Sequence, residues 1–433
     1  MIALLPHCGF LSETSRMLAI GQALAARGEA VVFASHGGPF AGLIRAAGFP
    51  LQLLPPEMDG ARCTRFVQDV VQIGRPGVRL LSADEVRTAV QAERDFFVRH
   101  GVRLTVTGFT LTAMLSTRLA GIPLAASHGG SWVPPVFERG LAPAPTQMPM
   151  PGAEWLPDWL KRRILNAGPE RMREPAAFLN GVAAELGLPP VPSLAALMLG
   201  DLTLVTELPE VLGIPAAELA AWQPRRPAAY RAGTRLVATG PLFARLELPV
   251  PPAVEACLDG AAPTALVALT SATPDLVRQS TRAVRAAGYR VVVADTVHAL
   301  DGFADPGVVV AGVLPNHRVM PRVDLAVTMG GQGSVQTAMA SGTPLIAIPL
   351  HPEQEFNAHL AVRQGMAIAV APRHAGGERL TAAARRIQGD RRFAEAARRV
   401  AGLYAGVDGA ARAAEALLAW RGQQATERPA RAA

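Results

Sequence analysis

The residues best placed for chemistry are Thr328-Met329-Gly330-Gly331-Gln332-Gly333-Ser334-Val335 and, beginning nineteen residues after Ser334, Glu353-Gln354-Glu355-Phe356-Asn357-Ala358. The first block follows an apolar run, Leu325-Ala326-Val327, and opens a helix. Such a turn presents the backbone N–H groups of Gly331, Gln332, Gly333 and Ser334 at a positive helix end, which suits an anionic phosphate. The Ser334 hydroxyl adds one more donor. The second block opens another helix with side chains suited to a polyhydroxyl ligand. A carboxylate such as Glu353 accepts two hydroxyl protons, and an amide such as Gln354 both donates and accepts. Asn357 lies one turn later on the same face, and His351 sits beside the block. A glycine turn alone often only closes a strand–helix junction. The two blocks together point to a pocket that holds phosphates at one end and a sugar at the other.

These residues need strands and helices to position them. Between the blocks runs Ala338-Met339-Ala340-Ser341-Gly342-Thr343-Pro344-Leu345-Ile346-Ala347-Ile348-Pro349, which reads as helix end, Gly cap, Pro break and buried strand. Upstream, strands are expected at 2–6, 30–34, 102–106 and 124–126, with helices at 14–26, 39–47 and 111–119 between them. A second set restarts at 265–269 and continues at 290–294, 307–311, 323–328, 344–348 and 366–370, followed by helix from 380 to about 418. Alternation of this kind implies parallel sheets with helices on both faces. The proline-rich stretch 131–167, with Trp132, Trp155 and Trp159, reads as a long excursion outside the core. A linker is expected from Gly240-Pro241 to Pro251-Pro252.

Composition narrows the function. The 433 residues are half hydrophobic but only 5% aromatic, ample for two cores built on Ala, Val and Leu. The net charge of +7 comes from arginine; Lys161 is the single lysine. Basic residues are scattered among acids rather than clustered with aromatics, so no nucleic-acid partner is expected. Cys8, Cys63 and Cys257 are isolated, with no zinc spacing and no disulfide framework, which fits a reducing cytoplasm. No cofactor and no metal site is expected. Neither a leader segment nor an apolar run long enough to span a bilayer is expected.

With its glycine turn, its Pro break and its Glu353-Gln354…Asn357-Ala358 pair, the chain resembles the nucleotide-sugar-dependent family 1 glycosyltransferases, especially the bacterial enzymes that decorate small natural products. The resemblance implies an α/β protein of the GT-B fold: two doubly wound Rossmann-like domains facing a cleft that closes around its substrates. Residues 1–240 would bind the acceptor, 253–405 the nucleotide sugar, and 406–433 would form a terminal helix and tail. The donor would be a UDP- or dTDP-sugar and the acceptor a small hydrophobic aglycone, with inversion at the anomeric carbon. Ser271, after the first strand of the second domain, would meet the phosphates. The family carries His where this chain has Met329, which cannot donate a hydrogen bond. It often carries Trp near Val313, which here offers the base only aliphatic and backbone contact.

Transfer to a hydroxyl needs a base. In the resembling family this is a His after the first strand, steadied by an Asp after a later strand. The helix Arg16-Met17-Leu18-Ala19-Ile20 aligns Glu13 with the His, and Gly108 falls near the Asp position. Both members of the dyad are replaced together, so Glu13 is the expected base, with His7 and His128 as rivals. Its plain alternative is a helix-terminal acid beside Ser12 as N-cap. Phe10, Phe66, Phe109, Trp132, His128 and Met148 are expected to wall the acceptor pocket. The stretch Trp155–Arg163 also fits a membrane surface or a lipid-like acceptor, and a homodimer stays open. Two other readings remain: a non-catalytic binding module or partner of an active enzyme, and epimerisation or hydrolysis of the donor itself.

Overall fold

Ile2–Leu5 (β1) is apolar at all four positions and buried at all four. That is the pattern of a strand covered on both faces, and it recurs in most of the strands that follow. In the computed structural model, which describes residues 1–73, 77–146, 148, 152–243, 248–270, 272–295, 300, 303 and 305–431, the chain divides into two compact units. One comprises Met1–Ala144, Met148–Ala244 and Asp408–Ala433; the other comprises Pro145–Gln147 and Arg245–Val407.

The first unit holds β1, β2 (Val31–Ser35), β3 (Leu51–Leu53), β4 (Leu104–Thr107), β5 (Leu124–His128), β6 (Leu202–Val205) and β7 (Arg235–Ala238) in the order β3-β2-β1-β4-β5-β6-β7. All pairs are parallel; Ile2 faces Val31 on one side and Leu104 on the other. The second unit holds β8 (Thr264–Ala268), β9 (Arg290–Ala294), β10 (Val308–Ala311), β11 (Leu325–Thr328), β12 (Leu345–Ala347) and β13 (Ala367–Ala369) in the order β10-β9-β8-β11-β12-β13, again all parallel. Each sheet reverses its winding once, beside β1 in the first and beside β8 in the second. The loops that diverge there, after β1 and β4 and after β8 and β11, are where doubly wound sheets hold ligands.

Several expectations change. Strands β3, β6 and β7 are additional; three or four residues are too short to carry a readable period. The first helix runs Leu11–Ala25, not from Thr14, and its N-cap is Phe10 with no side-chain cap, so Ser12 lies inside the helix. The stretch 131–167 is not simply an excursion. Pro134 sits at the first position of a buried helix, Pro134–Glu138, where its missing N–H costs nothing. A longer helix, Asp158–Arg171, follows, with Trp155 and Trp159 standing 86% and 66% exposed. The terminal segment does not stand apart either. The helix Gly409–Arg431 turns Ala413, Ala414, Leu417 and Trp420 onto Met17, Ile20 and Leu24 of the first helix, completing the first unit's core. No helix among the described residues is long and apolar enough to cross a membrane.

Candidate active site

Two Thr hydroxyls bring the β4 loop to the end of β1: Thr107 and Thr110 both donate to the Leu5 carbonyl, at 2.8 and 2.9 Å. Glu13 completes the tie. Its Oε1 accepts the N–H groups of His7 (3.1 Å), Gly108 (3.1 Å) and Phe109 (2.6 Å), so one carboxylate oxygen gathers the amides of both loops at the switch point. The side chain is 1% exposed and its Oε2 is buried without a partner. Burial raises its pKa to about 7; Arg16 and the three amide donors pull the other way and are outweighed. A carboxylate in that range, with one oxygen fixed and the other unengaged, has the properties of a general base at neutral pH.

Gly108 makes room for it. A Cβ there would lie 3.1 Å from the Glu13 carboxyl group, with no backbone conformation reserved to glycine. Gly108→Ala should therefore displace the Glu13 carboxylate by a few tenths of an ångström and leave the fold alone. Since misplacing a reacting group by about 1 Å costs about 10²-fold in rate, turnover should drop about tenfold with a melting temperature within a degree or two; equal turnover would detach Glu13 from the chemistry.

Around Glu13 stands an aromatic cluster. The His7 ring stacks on Phe66 at 4.2 Å, Phe10 meets Phe109 edge-on at 5.6 Å, and Phe66 meets Phe109 at 6.2 Å. A small cavity of about 20 Å³ opens here, bounded by His7, Phe66, Phe109, Leu111 and Met58. Phe109 lines this cavity, whereas Phe10 only backs the cluster. Trp132 is half-buried against the same core but does not line the cavity. His128 ends β5, only 3% exposed and also off the cavity; burial depresses its pKa to about 3. His7 falls to about 3 as well, by burial first and by the nearby His36 second. Its Nδ1 accepts the Gly9 N–H at 3.3 Å, which leaves the ring proton on Nε2 and makes His7 a donor rather than a base.

One part of this site gives no sign in the sequence. His36 Nε2 lies 2.9 Å from Glu93, which is fully buried and also receives the Thr112 and Ser116 hydroxyls. His36 and Thr112 form part of the cavity wall. Fifty-seven residues separate His36, just after β2, from Glu93, inside the helix Ala83–Arg99.

In the second unit, β11 ends at Thr328, whose hydroxyl accepts the Gly330 N–H at 3.1 Å. Gly330 has φ +83°, and a Cβ there would sit 2.6 Å from the Gln354 carbonyl oxygen. Gly330→Ala should cost about 1–3 kcal/mol of stability through backbone strain alone, seen as a melting temperature lower by several degrees; an unchanged melt would mean the turn is not built this way. Gly331 is the N-cap of the helix Gln332–Ser341, with φ −60° and open space beside it. The Val335 N–H closes the first helical turn on the Gly331 carbonyl at 3.0 Å. The N–H groups before it have no intrahelical acceptor, which is the condition for anion binding. Gly333 is exposed, Ser334 half-buried, and the Gln332 side chain is buried.

The helix Pro352–Arg363 follows. Glu353 keeps 27% of its side chain exposed and accepts from Asn357 Nδ2 at 2.9 Å. Asn357 Oδ1 is buried without a partner. Gln354 differs from expectation: it turns inward, 4% exposed, and its Oε1 accepts the Leu350 N–H at 2.8 Å. Its carbonyl is spent on closing the loop before the helix, so it does not offer both halves of the amide to a ligand. Glu355 is buried on Thr146.

Residues 283–410 match the family model described as erythromycin biosynthesis protein CIII-like, C-terminal domain. Similar solved structures cover nearly the whole chain. They include the glycosyltransferase of kitacinnamycin (20% identity, TM-score 0.65, 96% of this chain and 97% of that one). Another is SsfS6 of Streptomyces sp. SF2575, complexed with thymidine diphosphate (21%, 0.58, 95% and 98%). A third is the spinosyn rhamnosyltransferase SpnG, complexed with spinosyn aglycone (16%, 0.62, 96% and 100%). No curated protein matches in sequence. The chain has the GT-B fold. Within the second unit, most of the sequence after residue 283 matches the EryCIII-like C-terminal domain, in keeping with the resemblance drawn from the sequence.

Against the family's pattern, Met329 is 4% exposed and part of the second unit's core, so the position of the usual His is filled by packing. Val313 follows β10, with 38% of its surface exposed, in the region expected to meet the base. Ser271 lies outside the described residues.

Proposed function

We propose that the protein transfers a sugar from a dTDP- or UDP-sugar to a hydroxyl of a small hydrophobic acceptor, with inversion. The observation that carries this reading is the Gly330–Gly331 turn at the switch point of the second sheet, inside the EryCIII-like region. A diphosphate there is held by the amides of Gly331, Gln332, Gly333 and Ser334. The same amides stabilise the charge that develops as it leaves. Glu353 and Asn357, linked to one another, meet the sugar hydroxyls. Gln354 positions the loop, and Val313 offers an apolar surface to the base. That SsfS6 was solved with thymidine diphosphate and SpnG with an aglycone supports both halves of the reading.

On the acceptor side Glu13 takes the hydroxyl proton through Oε2. The attacking oxygen bonds to the anomeric carbon as the bond to the diphosphate breaks, and the proton remains on Glu13. With a pKa near 7, Glu13 works at neutral pH without a second acid beside it. Three buried free thiols fit a cytoplasmic enzyme.

The test is to incubate the protein with dTDP-glucose or UDP-glucose, with and without 2-hydroxyanthraquinone, and analyse products by mass spectrometry. The expected product is the acceptor plus one hexose, formed only when both substrates are present. Free sugar at the same rate without acceptor would mean donor hydrolysis instead.

A further inference from the structure

The mechanism uses Glu13 but leaves a second buried polar atom beside it unengaged. His7 is 8% exposed, and its Nε2 has no hydrogen-bond partner. Nδ1 is occupied by the Gly9 N–H, so the unpartnered atom is a donor with a fixed proton. Leaving a buried donor unmatched is unfavourable, and the ring is packed in a stack on Phe66.

His7 also lines the cavity, together with half-buried Pro56, Glu85 and Phe109. At about 20 Å³ the cavity admits one water or one small oxygen-bearing group, not a ring. Its remaining wall is largely aliphatic and aromatic, from Met58, Phe66, Leu81, Ala89 and Leu111. Glu13 does not itself line the cavity, but its Oε1 holds the backbone N–H groups of His7 and Phe109, both of which do.

Resting on the glycosyltransferase reading, we infer that His7 Nε2–H binds a neutral carbonyl oxygen of the acceptor, close to the hydroxyl that Glu13 deprotonates. A donor that cannot accept selects an oxygen that only accepts. Because burial and His36 hold the ring neutral, it supplies no charge to attract a carboxylate. The acceptor class is therefore a phenol that bears a ketone or quinone oxygen, with only that oxygen entering the cavity.

The test compares binding of 2-hydroxyanthraquinone with that of 2-hydroxyanthracene, which lacks the carbonyls, by titration calorimetry on the full chain. At pH 6, where both phenols are protonated, wild type should bind the quinone about tenfold more tightly, the worth of one buried hydrogen bond. His7→Phe keeps the ring stack and should abolish the ratio while leaving 2-hydroxyanthracene and dTDP binding unchanged. Equal affinities in wild type overturn the inference whatever the variant does. So does a His7→Phe protein that loses both ligands in parallel, or binding of neither compound while dTDP still binds. Loss of dTDP binding in wild type would instead sink the glycosyltransferase reading.

Discussion

Glu13→Gln should lower sugar transfer by about 10²–10⁴-fold, the usual contribution of a general base, and at the same time make the protein more stable above neutral pH. The two effects have one cause. Folding takes the Glu13 carboxyl from an ordinary value of 4.5 to about 7 because burial penalises the charged form. The folded state therefore binds more protons than the unfolded chain between those values. Stability from this group is at its fullest below pH 4.5, falls as pH rises, and levels off above about 7. The gap corresponds to about 3 kcal/mol.

Glutamine keeps the oxygen that accepts from His7, Gly108 and Phe109 and never charges. Its amide N–H₂ replaces the unpartnered Oε2, which trims the gain. Melting temperatures of wild type and variant should nearly coincide at pH 5 and separate by several degrees at pH 8, with the variant higher. Wild-type transfer should rise about tenfold per pH unit below 7 and reach a plateau above it, whereas residual transfer by the variant should be flat. A variant that loses stability at pH 8 would make Glu13 a structural staple, and a variant with normal transfer would remove it from the mechanism.

Gly331→Asp separates the stability of the phosphate turn from its function. Gly331 is an N-cap in extended backbone with nothing beside it. Aspartate is a better cap than glycine by a few tenths of a kcal/mol, and its charge complements the helix dipole. The unliganded protein should melt at the same temperature as wild type or slightly above. The same carboxylate occupies the anion site. At a concentration about a hundredfold above its Kd, dTDP should stabilise wild type by about 2.7 kcal/mol, a shift of several degrees, and should not shift Gly331→Asp at all. A variant still stabilised by dTDP would place the diphosphate elsewhere. Ser334→Trp is a blunter block of the same turn.

The parts legible in the sequence are those with a local signature. The run of glycines after Leu325-Ala326-Val327, the Gly342 cap and the strand beyond Pro344 all lie where their residue types put them; Gly342 has φ +68° as a cap requires. The alternation of strand and helix gave the two parallel sheets. Aligning the first helix brought Glu13 and Gly108 into the same argument, and the structure places them 3.1 Å apart across two loops.

The features without a local signature depend on distance or on brevity. Leu51–Leu53 and Arg235–Ala238 become strands only because a sheet edge is there to pair with. Gln354 reads as an exposed helix-start amide, yet it turns back onto Leu350, a choice made by the loop rather than by the helix. The His36–Glu93 pair joins the end of β2 to the middle of the helix Ala83–Arg99. In the proline-rich stretch 131–167 the proline signal is ambiguous, since Pro134 starts a helix rather than breaking one.

The most direct test of nucleotide-sugar chemistry is titration calorimetry of the wild-type chain with dTDP and UDP. Micromolar binding of at least one, with one site per chain, is the predicted result. No measurable heat from either nucleotide up to millimolar concentration would contradict the donor site and, with it, the proposed transfer.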